Sequence, residues 1–367
     1  MRLPLSRFRP LFLLPLAAVA TCALAQQPAA PAAVAPSSVY ASHPLLKGKH
    51  FTPARRPVPA RIWADGEKIL SVVLIGRTDD EVVYALPDSP GKLEGLVPVA
   101  DIRRAAFDVT LDADAFVEAR RTRDDPATCR LLAGAYGPTY PFLDLPENNA
   151  VEQVSMLATT MMTVAGKTLR TARTEEAKAR AMRQYESASE VLVALAEAKN
   201  WSPEGAIAVI KYCQCLLARG KVKTAAYHIG ELEEPMPGDA AYGYYWLVRG
   251  LLAEANDDPR EALRAAVLSV DFETKNGESF PAALMLSARS YEELEEWYRA
   301  RDIYYEVAKL FQNTDFEDDA LDRLRFILDN HKTDAPEADQ TVENAFFGLA
   351  EDMNKLSREL LNKKEQK

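Results

Sequence analysis

The residue types that carry catalysis or bind metal ions are sparse and scattered in this chain of 367 residues. None of its four histidines has the close spacing that places two imidazoles on one metal ion. Gly166-Lys167-Thr168 ends like a phosphate-binding loop, but Met161 stands where such a loop requires its first glycine. The chain also lacks the glycine-flanked serine of a nucleophile elbow. These observations predict a protein that is not an enzyme and that uses no cofactor or metal.

Acidic residues outnumber basic ones, 54 to 44, which gives a formal net charge of −10. A negative chain repels phosphate groups, so this charge argues against general nucleic-acid binding and against charge-driven docking on anionic lipid. Hydrophobic residues make up 48% of the chain, which is enough for packed cores and excludes wholesale disorder. The composition therefore favours a globular protein with packed cores.

The N-terminal segment Met1–Ala25 has the three parts of a secretory signal peptide. A start with three arginines precedes the apolar run Leu11–Ala23, and Ala23-Leu24-Ala25 matches the small-residue site that signal peptidase cleaves. Cleavage before Gln26 predicts an exported protein, periplasmic or associated with the envelope, with no integral membrane span. The alternative is a lipid anchor at Cys22, although the threonine before it departs from that motif.

The segments after the signal peptide change character twice. Residues 26–59 are rich in alanine and proline, a composition typical of an extended tether. Residues 60–105 alternate β-rich apolar runs with tight turns, which predicts a small antiparallel β-barrel domain. Residues 106–150 follow as one short helix and an aromatic, proline-rich connector.

The small β domain carries Trp63, Gly66 and a closing Val97-Pro98-Val99 before Ile102. On these residues it resembles a small Src-homology-3-type domain that occurs in an endocytic actin adaptor and in bacterial exported proteins. The resemblance implies a barrel that binds peptides on an aromatic groove. Only Trp63 and Tyr84 suit that role here, and we favour a packing role for both.

From residue 150 onward the hydrophobic pattern is helical almost throughout. Ser202-Pro203 is a typical helix start and Gly220 a typical helix stop. Each amphipathic helix must bury its apolar stripe on a neighbour, so we expect stacked antiparallel pairs over residues 151–330. The predicted fold class is mainly α, a helical-repeat solenoid preceded by a small antiparallel β-barrel domain.

Small residues recur in the helical part at a nearly constant interval. They form two sets that lie twelve positions apart: Cys213, Gly250 and Ala288, then Ala225, Ala262 and Ala300. The best copy adds a leucine at 284 and tyrosines at 291 and 304. This pattern resembles the tetratricopeptide repeat. The period exceeds that family's, which is about 34 residues, and the family's terminal proline is missing.

The resemblance implies a protein that binds a segment of another protein on the concave face formed by the first helix of each pair. The family's groove positions fall on these residues: Gln214, Tyr244, Leu247, Glu254, Met285, Arg289 and Glu292. The set mixes apolar and charged side chains, so we expect an extended or helical peptide with both kinds. The predicted partner is a protein or peptide of the bacterial envelope, where the chain serves as a scaffold or adaptor.

The C-terminal segment, residues 331–367, is predicted to form a helix with an apolar stripe from Val342 to Leu360. Such a helix covers the open end of a solenoid and so protects its apolar surface from water. The alternative is a coiled coil with a second copy, which would make a homo-oligomer.

Two other functions stay open at this point. One is an enzyme with an unrecognised site in the 105–150 connector, where three aromatic residues cluster: Tyr136, Tyr140 and Phe142. The other is a purely structural component of the envelope. Cys129, Cys213 and Cys215 remain after cleavage, and we expect them to be small buried hydrophobes, with a disulfide to Cys129 left open.

Export gives the first testable prediction. The N-terminus of the protein isolated from its own cells should be Gln26, because signal peptidase cleaves after the small-residue motif that ends at Ala25. N-terminal sequencing and intact-mass measurement check this. A diacylated Cys22 at the N-terminus would contradict it and would identify a lipoprotein.

Overall fold

The structure is a computed structural model that describes residues 43–64, 69–88, 92–200, 202–271 and 279–331. Within these ranges, eleven α-helices follow five β-strands, which confirms a mainly α chain with a small β domain before the helices. The chain divides into two compact units, Met1–Arg219 and Gly220–Lys367. The signal peptide, Cys22, the first half of the tether and nearly all of the predicted C-terminal helix lie outside the described residues.

The β domain is a curled antiparallel half-barrel with the strand order β4-β3-β2-β1-β5. Its strands are β1 (Thr52–Ala64), β2 (Ile69–Arg77), β3 (Glu81–Ala85), β4 (Gly95–Pro98) and β5 (Ile102–Phe107). Buried residues alternate with exposed ones along the second half of β1, as expected for a strand with one face on a core.

Strand β1 starts earlier than the sequence predicts. It begins at Thr52, so the last residues of the predicted tether belong to the sheet. Prolines within a run argue against a strand because they cannot donate a ladder hydrogen bond. Here the register with β2 shifts between Pro53 and Val58, and this irregularity accommodates the prolines of the PARRPVP segment.

Five helices complete the described part of the first unit: α1 (Ala113–Arg121), α2 (Asp125–Tyr136), α3 (Val151–Thr171), α4 (Glu175–Ala198) and α5 (Pro203–Ala218). The Ser202 hydroxyl accepts a hydrogen bond from the Gly205 amide at 3.1 Å, which confirms the predicted start of α5. Helix α2 begins with Asp124 as its N-cap and a proline in its first turn, a start signal that the single helix predicted for this region leaves out.

A short 3₁₀ helix, Gly137–Phe142, connects the sheet to the helices of the first unit. The Arg77 guanidinium on β2 donates to the carbonyl of Pro141 at 3.0 Å and to Asp144 at 2.6 Å. The Asn149 side chain accepts from the amide of Phe107 and donates to its carbonyl, at 2.9 and 3.0 Å. The segment that follows α2 is therefore tied to both β2 and β5.

The core of the first unit runs through the same connector. Phe142 and Leu145 are fully buried and share one hydrophobic cluster with Ile62 of β1 and Leu157 of α3. Cys215 of α5 belongs to the same cluster. The sheet and helices α3 to α5 thus form one packed unit.

Six helices lie in the described part of the second unit: α6 (Val222–Gly230), α7 (Tyr242–Glu254), α8 (Pro259–Asp271), α9 (Ser279–Glu293), α10 (Trp297–Leu310) and α11 (Asp315–Asn330). From α7 onward each helix packs on the next one in sequence, while α9 also contacts both α7 and α11. The arrangement confirms stacked helix pairs. The Asp258 carboxylate accepts from the Glu261 amide at 3.1 Å, so it caps α8 as its position after Asn256-Asp257 predicts.

The recurring small residues occupy fully buried positions in the stack. Ala262, Ala288 and Ala300 have no exposed surface. A Cβ atom added to Gly250 would lie 2.6 Å from the Leu286 side chain on α9 and 3.2 Å from the Ala262 carbonyl oxygen on α8. Only a very small side chain therefore allows α7 to approach these two helices.

Cys213 and Cys215 are buried hydrophobes as expected, whereas Cys129 is only half-buried and packs against the core of the first unit. Cys213 and Cys215 have no exposed surface, and no disulfide forms within the described residues. Burial raises the pKa of both thiols to about 12, so both stay protonated at neutral pH. A protonated, inaccessible thiol is a poor nucleophile and is slow to oxidise.

The close approach of helices gives the second prediction. Ala300→Leu should lower the free energy of unfolding by about 1–3 kcal/mol, because added methylenes overpack a site with no free volume. Urea denaturation followed by circular dichroism measures the change, with Ala255→Leu, at an exposed position, as the matched control. Equal stability of the Ala300→Leu variant and the parent protein would show that the repeat register is wrong.

Candidate functional site

The turns within the second unit extend the repeat register. Asp257, between α7 and α8, has φ of 58°, and Glu295, between α9 and α10, has φ of 59°. Gly220 adopts φ of 70° one repeat interval before Asp257. These left-handed residues end a helix in the way that a C-terminal glycine does. They stand five positions before the buried small residues Ala225, Ala262 and Ala300.

A cavity of about 540 Å³ opens where α7 and α9 end. Its volume lies within the range of small-ligand sites, about 300–1,000 Å³. Four helices (α7, α8, α9 and α11) and one turn line it: Glu254, Asp257, Pro259, Ala262, Arg289, Ser290, Glu292, Glu293 and Arg323. Four of these residues are acidic and two are arginines, so the lining has a formal charge of −2. We call it the charged cavity.

The first of two ion pairs in the charged cavity joins α9 to α7. The Arg289 guanidinium donates to both oxygens of Glu254, from Nε at 2.6 Å and from Nη2 at 3.2 Å. Both side chains are more than one-third exposed. The bidentate geometry fixes the orientation of the guanidinium plane, while its stabilising effect is modest at this exposure.

The second ion pair joins α11 to α9. The Arg323 guanidinium donates to both oxygens of Glu292, with Nε at 3.0 Å from one of them. The Glu292 side chain is only 10% exposed, so this carboxylate depends on its partner more than Glu254 does. Burial and the neighbouring Glu292 carboxylate raise the pKa of Tyr304 well above its usual range, which keeps that hydroxyl protonated.

Two cavity carboxylates have no ion-pair partner in the described chain. Asp257 and Glu293 are both exposed, and no basic side chain of the described ranges lies within ion-pair distance of either. They stand at the C-terminal ends of α7 and α9, where the helix dipole is negative. The opening of the charged cavity is therefore its most electronegative part.

Three of the seven sequence-predicted site residues meet in the charged cavity: Glu254, Arg289 and Glu292. Tyr244, Leu247 and Met285 are instead 7%, 3% and 6% exposed. Leu247 and Met285 pack in hydrophobic clusters between helices, so the expectation that these three side chains line a groove is not supported. Gln214 is half-buried on α5 and belongs to the other unit.

Sequence reasoning missed Asp257, Glu293 and Arg323, which complete the charged cavity. Arg323 lies on α11, beyond the last small residue of the recurring pattern, so no repeat register pointed to it. Asp257 could have been found, because the stop signal Gly220 precedes it by the same interval that separates Ala225 from Ala262. At that position a left-handed turn residue ends the preceding helix.

The rival site in the 105–150 connector is a packing feature in this structure. Phe142 is fully buried, and its ring lies 6.4 Å from that of Phe107 in a tilted contact. Burial raises the pKa of Tyr136, and raises that of Tyr140 further. Neither hydroxyl is therefore suited to accept a proton near neutral pH.

The aromatic residues suggested by the barrel resemblance lie on different strands. Trp63 of β1 is half-buried, with the Arg104 guanidinium 5.0 Å from its ring centroid and that of Arg61 at 6.0 Å. Tyr84 of β3 packs against the core of the first unit. The structure supports a packing role for Tyr84 and places Trp63 among cations rather than in an aromatic groove.

Side chains of the types that bind metal ions do not cluster within the described residues. These residues contain no group of three or more His, Cys, Asp or Glu side chains that could hold a metal ion. Lys167, from the sequence that ends like a phosphate loop, pairs with Asp125 at 2.7 Å within helical surroundings.

None of the helices described is long and apolar enough to cross a bilayer. Comparison with known proteins finds no family model and no curated protein that matches the chain.

The two neighbouring glutamates of α9 give the third prediction. Glu292→Gln should lower the free energy of unfolding by about 1–3 kcal/mol, because it leaves the Arg323 guanidinium without its bidentate partner. Glu293→Gln, one residue along and exposed, should leave the stability unchanged or slightly higher. Urea titrations of the two variants and the parent protein provide the comparison. A smaller effect at residue 292 than at 293 would show that the ion pair does not stabilise the unit.

Proposed function

We propose that this protein is a non-catalytic, exported interaction scaffold whose second unit binds a peptide segment of another envelope protein. The observation that carries the proposal is the charged cavity, which α7, α8, α9 and α11 line together. It combines a recess with two oriented ion pairs and two carboxylates that have no ion-pair partner in the described chain. Most small-molecule sites are lined by apolar side chains, whereas six of the nine residues here are charged, which suits a charged side chain of a partner protein.

The repeat pattern supports the same function. The buried small residues and the left-handed turns recur together at one nearly constant interval, in the register of a tetratricopeptide-like array with lengthened loops. In such arrays the first helices of successive pairs lie side by side and present one continuous surface. Glu254 and Arg289, the first ion pair of the charged cavity, both lie on first helices.

Binding explains the chemistry of the charged cavity better than catalysis does. Its lining contains no histidine, cysteine or lysine from the described residues. Its one hydroxyl group, on Ser290, donates to the Leu286 carbonyl at 2.9 Å, so its proton is held by the helix backbone. A serine nucleophile is activated when it donates to a general base instead. Export rests on the signal-peptide pattern of Met1–Ala25, and an enzyme in the connector and a purely structural component remain the competing proposals.

Site-specific photo-crosslinking tests the proposed function. A photo-reactive phenylalanine replaces Asp257 or Glu293 in the full chain, expressed in its own cells, and crosslinked products are identified by mass spectrometry. Val267 and Glu306, exposed on second helices, serve as control positions. We expect one partner protein, crosslinked through one segment, from both cavity positions and not from the controls.

Three outcomes would contradict this proposal. Identical products from cavity and control positions would indicate collision rather than binding. A cavity that gives no product, while the same reagent at Trp63 does, would move the binding site to the β domain. Turnover of a small molecule by the purified protein would favour the enzyme.

A further inference from the structure

The charged cavity is electronegative in a way that the fold does not require. Helices α7 and α9 carry no basic residue in their last turns, and they end at Glu254 and Glu293. Carboxylates at a helix C-terminus oppose the helix dipole, whereas Lys or Arg there would favour it. Helix α1 follows that rule and ends in Arg120 and Arg121. Arg289 offsets the charge of Glu254, whereas the exposed Glu293 carboxylate opposes the dipole of α9 with no ion-pair partner among the described residues.

The two arginines of the charged cavity do not offset this charge for a ligand. Arg289 is held by both oxygens of Glu254, and Arg323 by both oxygens of Glu292. An anionic ligand would have to displace one of these carboxylates and approach two more, Asp257 and Glu293. The remaining field attracts a cation, since like charges at close range cost several kcal/mol in a partly desolvated site.

One buried hydroxyl group beside the two ion pairs of the charged cavity lacks a well-formed hydrogen bond. Tyr304 has no exposed surface, and its hydroxyl faces Arg289, Glu292 and Arg323. The hydroxyl is close enough to Glu292 and Arg323 to interact with both side chains, but it forms no hydrogen bond of normal length and angle. A buried polar atom in this state costs free energy that a small shift of the Glu292–Arg323 pair would recover.

We propose that the charged cavity takes a cationic side chain, lysine or arginine, of the partner segment, whose charge lies between the carboxylates of Asp257 and Glu293. This inference rests on the proposed function and specifies its partner. The positive charge of this side chain offsets the negative dipole at the C-terminal ends of α7 and α9. The two ion pairs form the wall that orients it. The partner segment is therefore basic at the position that enters the charged cavity.

Fluorescence anisotropy with the full chain tests the inference. One probe is a fluorescein-labelled hexapeptide of alternating leucine and arginine, and its counterpart has glutamate for arginine. We expect the arginine peptide to bind at low ionic strength and the glutamate peptide to bind at least tenfold more weakly, which corresponds to about 1.4 kcal/mol. The double variant Asp257→Asn/Glu293→Gln should reduce the affinity for the arginine peptide about tenfold, since each exposed ion pair contributes up to about 1 kcal/mol.

A matched variant separates the charged cavity from general attraction to an acidic chain. Glu306→Gln/Asp318→Asn removes the same charge from exposed positions on α10 and α11 and should change the affinity less than twofold. Thermal unfolding of the cavity variant should stay at the parent's midpoint or rise above it, because acids leave two helix C-termini. A lower midpoint would show that Asp257 and Glu293 stabilise the fold, and it would overturn the inference.

The inference is also overturned if the two double variants weaken binding equally, if the glutamate peptide binds as well as the arginine peptide, or if the arginine peptide does not bind. Failure of this inference can be distinguished from failure of the proposed function. A crosslinked partner from residues 257 and 293, together with no preference for arginine, would retain the scaffold and reject the cationic side chain.

Discussion

The second unit depends on the close approach of α7, α8 and α9 around Gly250. A Cβ atom there would lie 2.6 Å from Leu286 and 3.2 Å from the Ala262 carbonyl oxygen, so the three helices meet at nearly backbone distance. Because α7 and α9 are this close, Glu254 and Arg289 can form a bidentate pair across 35 residues of sequence. The ion pair therefore depends on the close packing of the helices. The charged cavity is the space that remains where α7 and α9 end.

Most helix boundaries could be predicted because local chemistry determines them. Ser202 followed by a proline starts α5, and Asp258 caps α8, each through a side-chain oxygen on an otherwise unsatisfied amide. Strand β1 could not be predicted to start at Thr52, because its prolines argue against a strand unless a register shift accommodates them. Such a shift depends on the pairing with β2, which is a long-range property.

Part of the candidate site could be predicted from the sequence, and that part consists of its charged residues. Glu254 and Arg289 reach the charged cavity because long ionic side chains stay at the surface of a helix stack. Leu247 and Met285 occupy equivalent register positions, yet they are buried between helices. A register taken from a family gives the direction of a side chain, but the volume of its neighbours determines whether that direction leads to water. Arg323 needed a third helix that the repeat pattern did not reach.

The connector around Gly137–Phe142 also bears on the order in which the parts of the chain fold. Its contacts are distant in sequence: Arg77 reaches Asp144 across 67 residues, and Lys199 reaches the Leu145 carbonyl across 54. Helix α8, by contrast, bonds back to α7 across only 26 residues, from the Ser269 hydroxyl to the Gly243 carbonyl. Closing long loops slows folding, while local contacts form quickly. We therefore expect the helical stack to form from local contacts, whereas the half-barrel can pack against the helices of its unit only after the connector, which follows its strands in the chain, is in place.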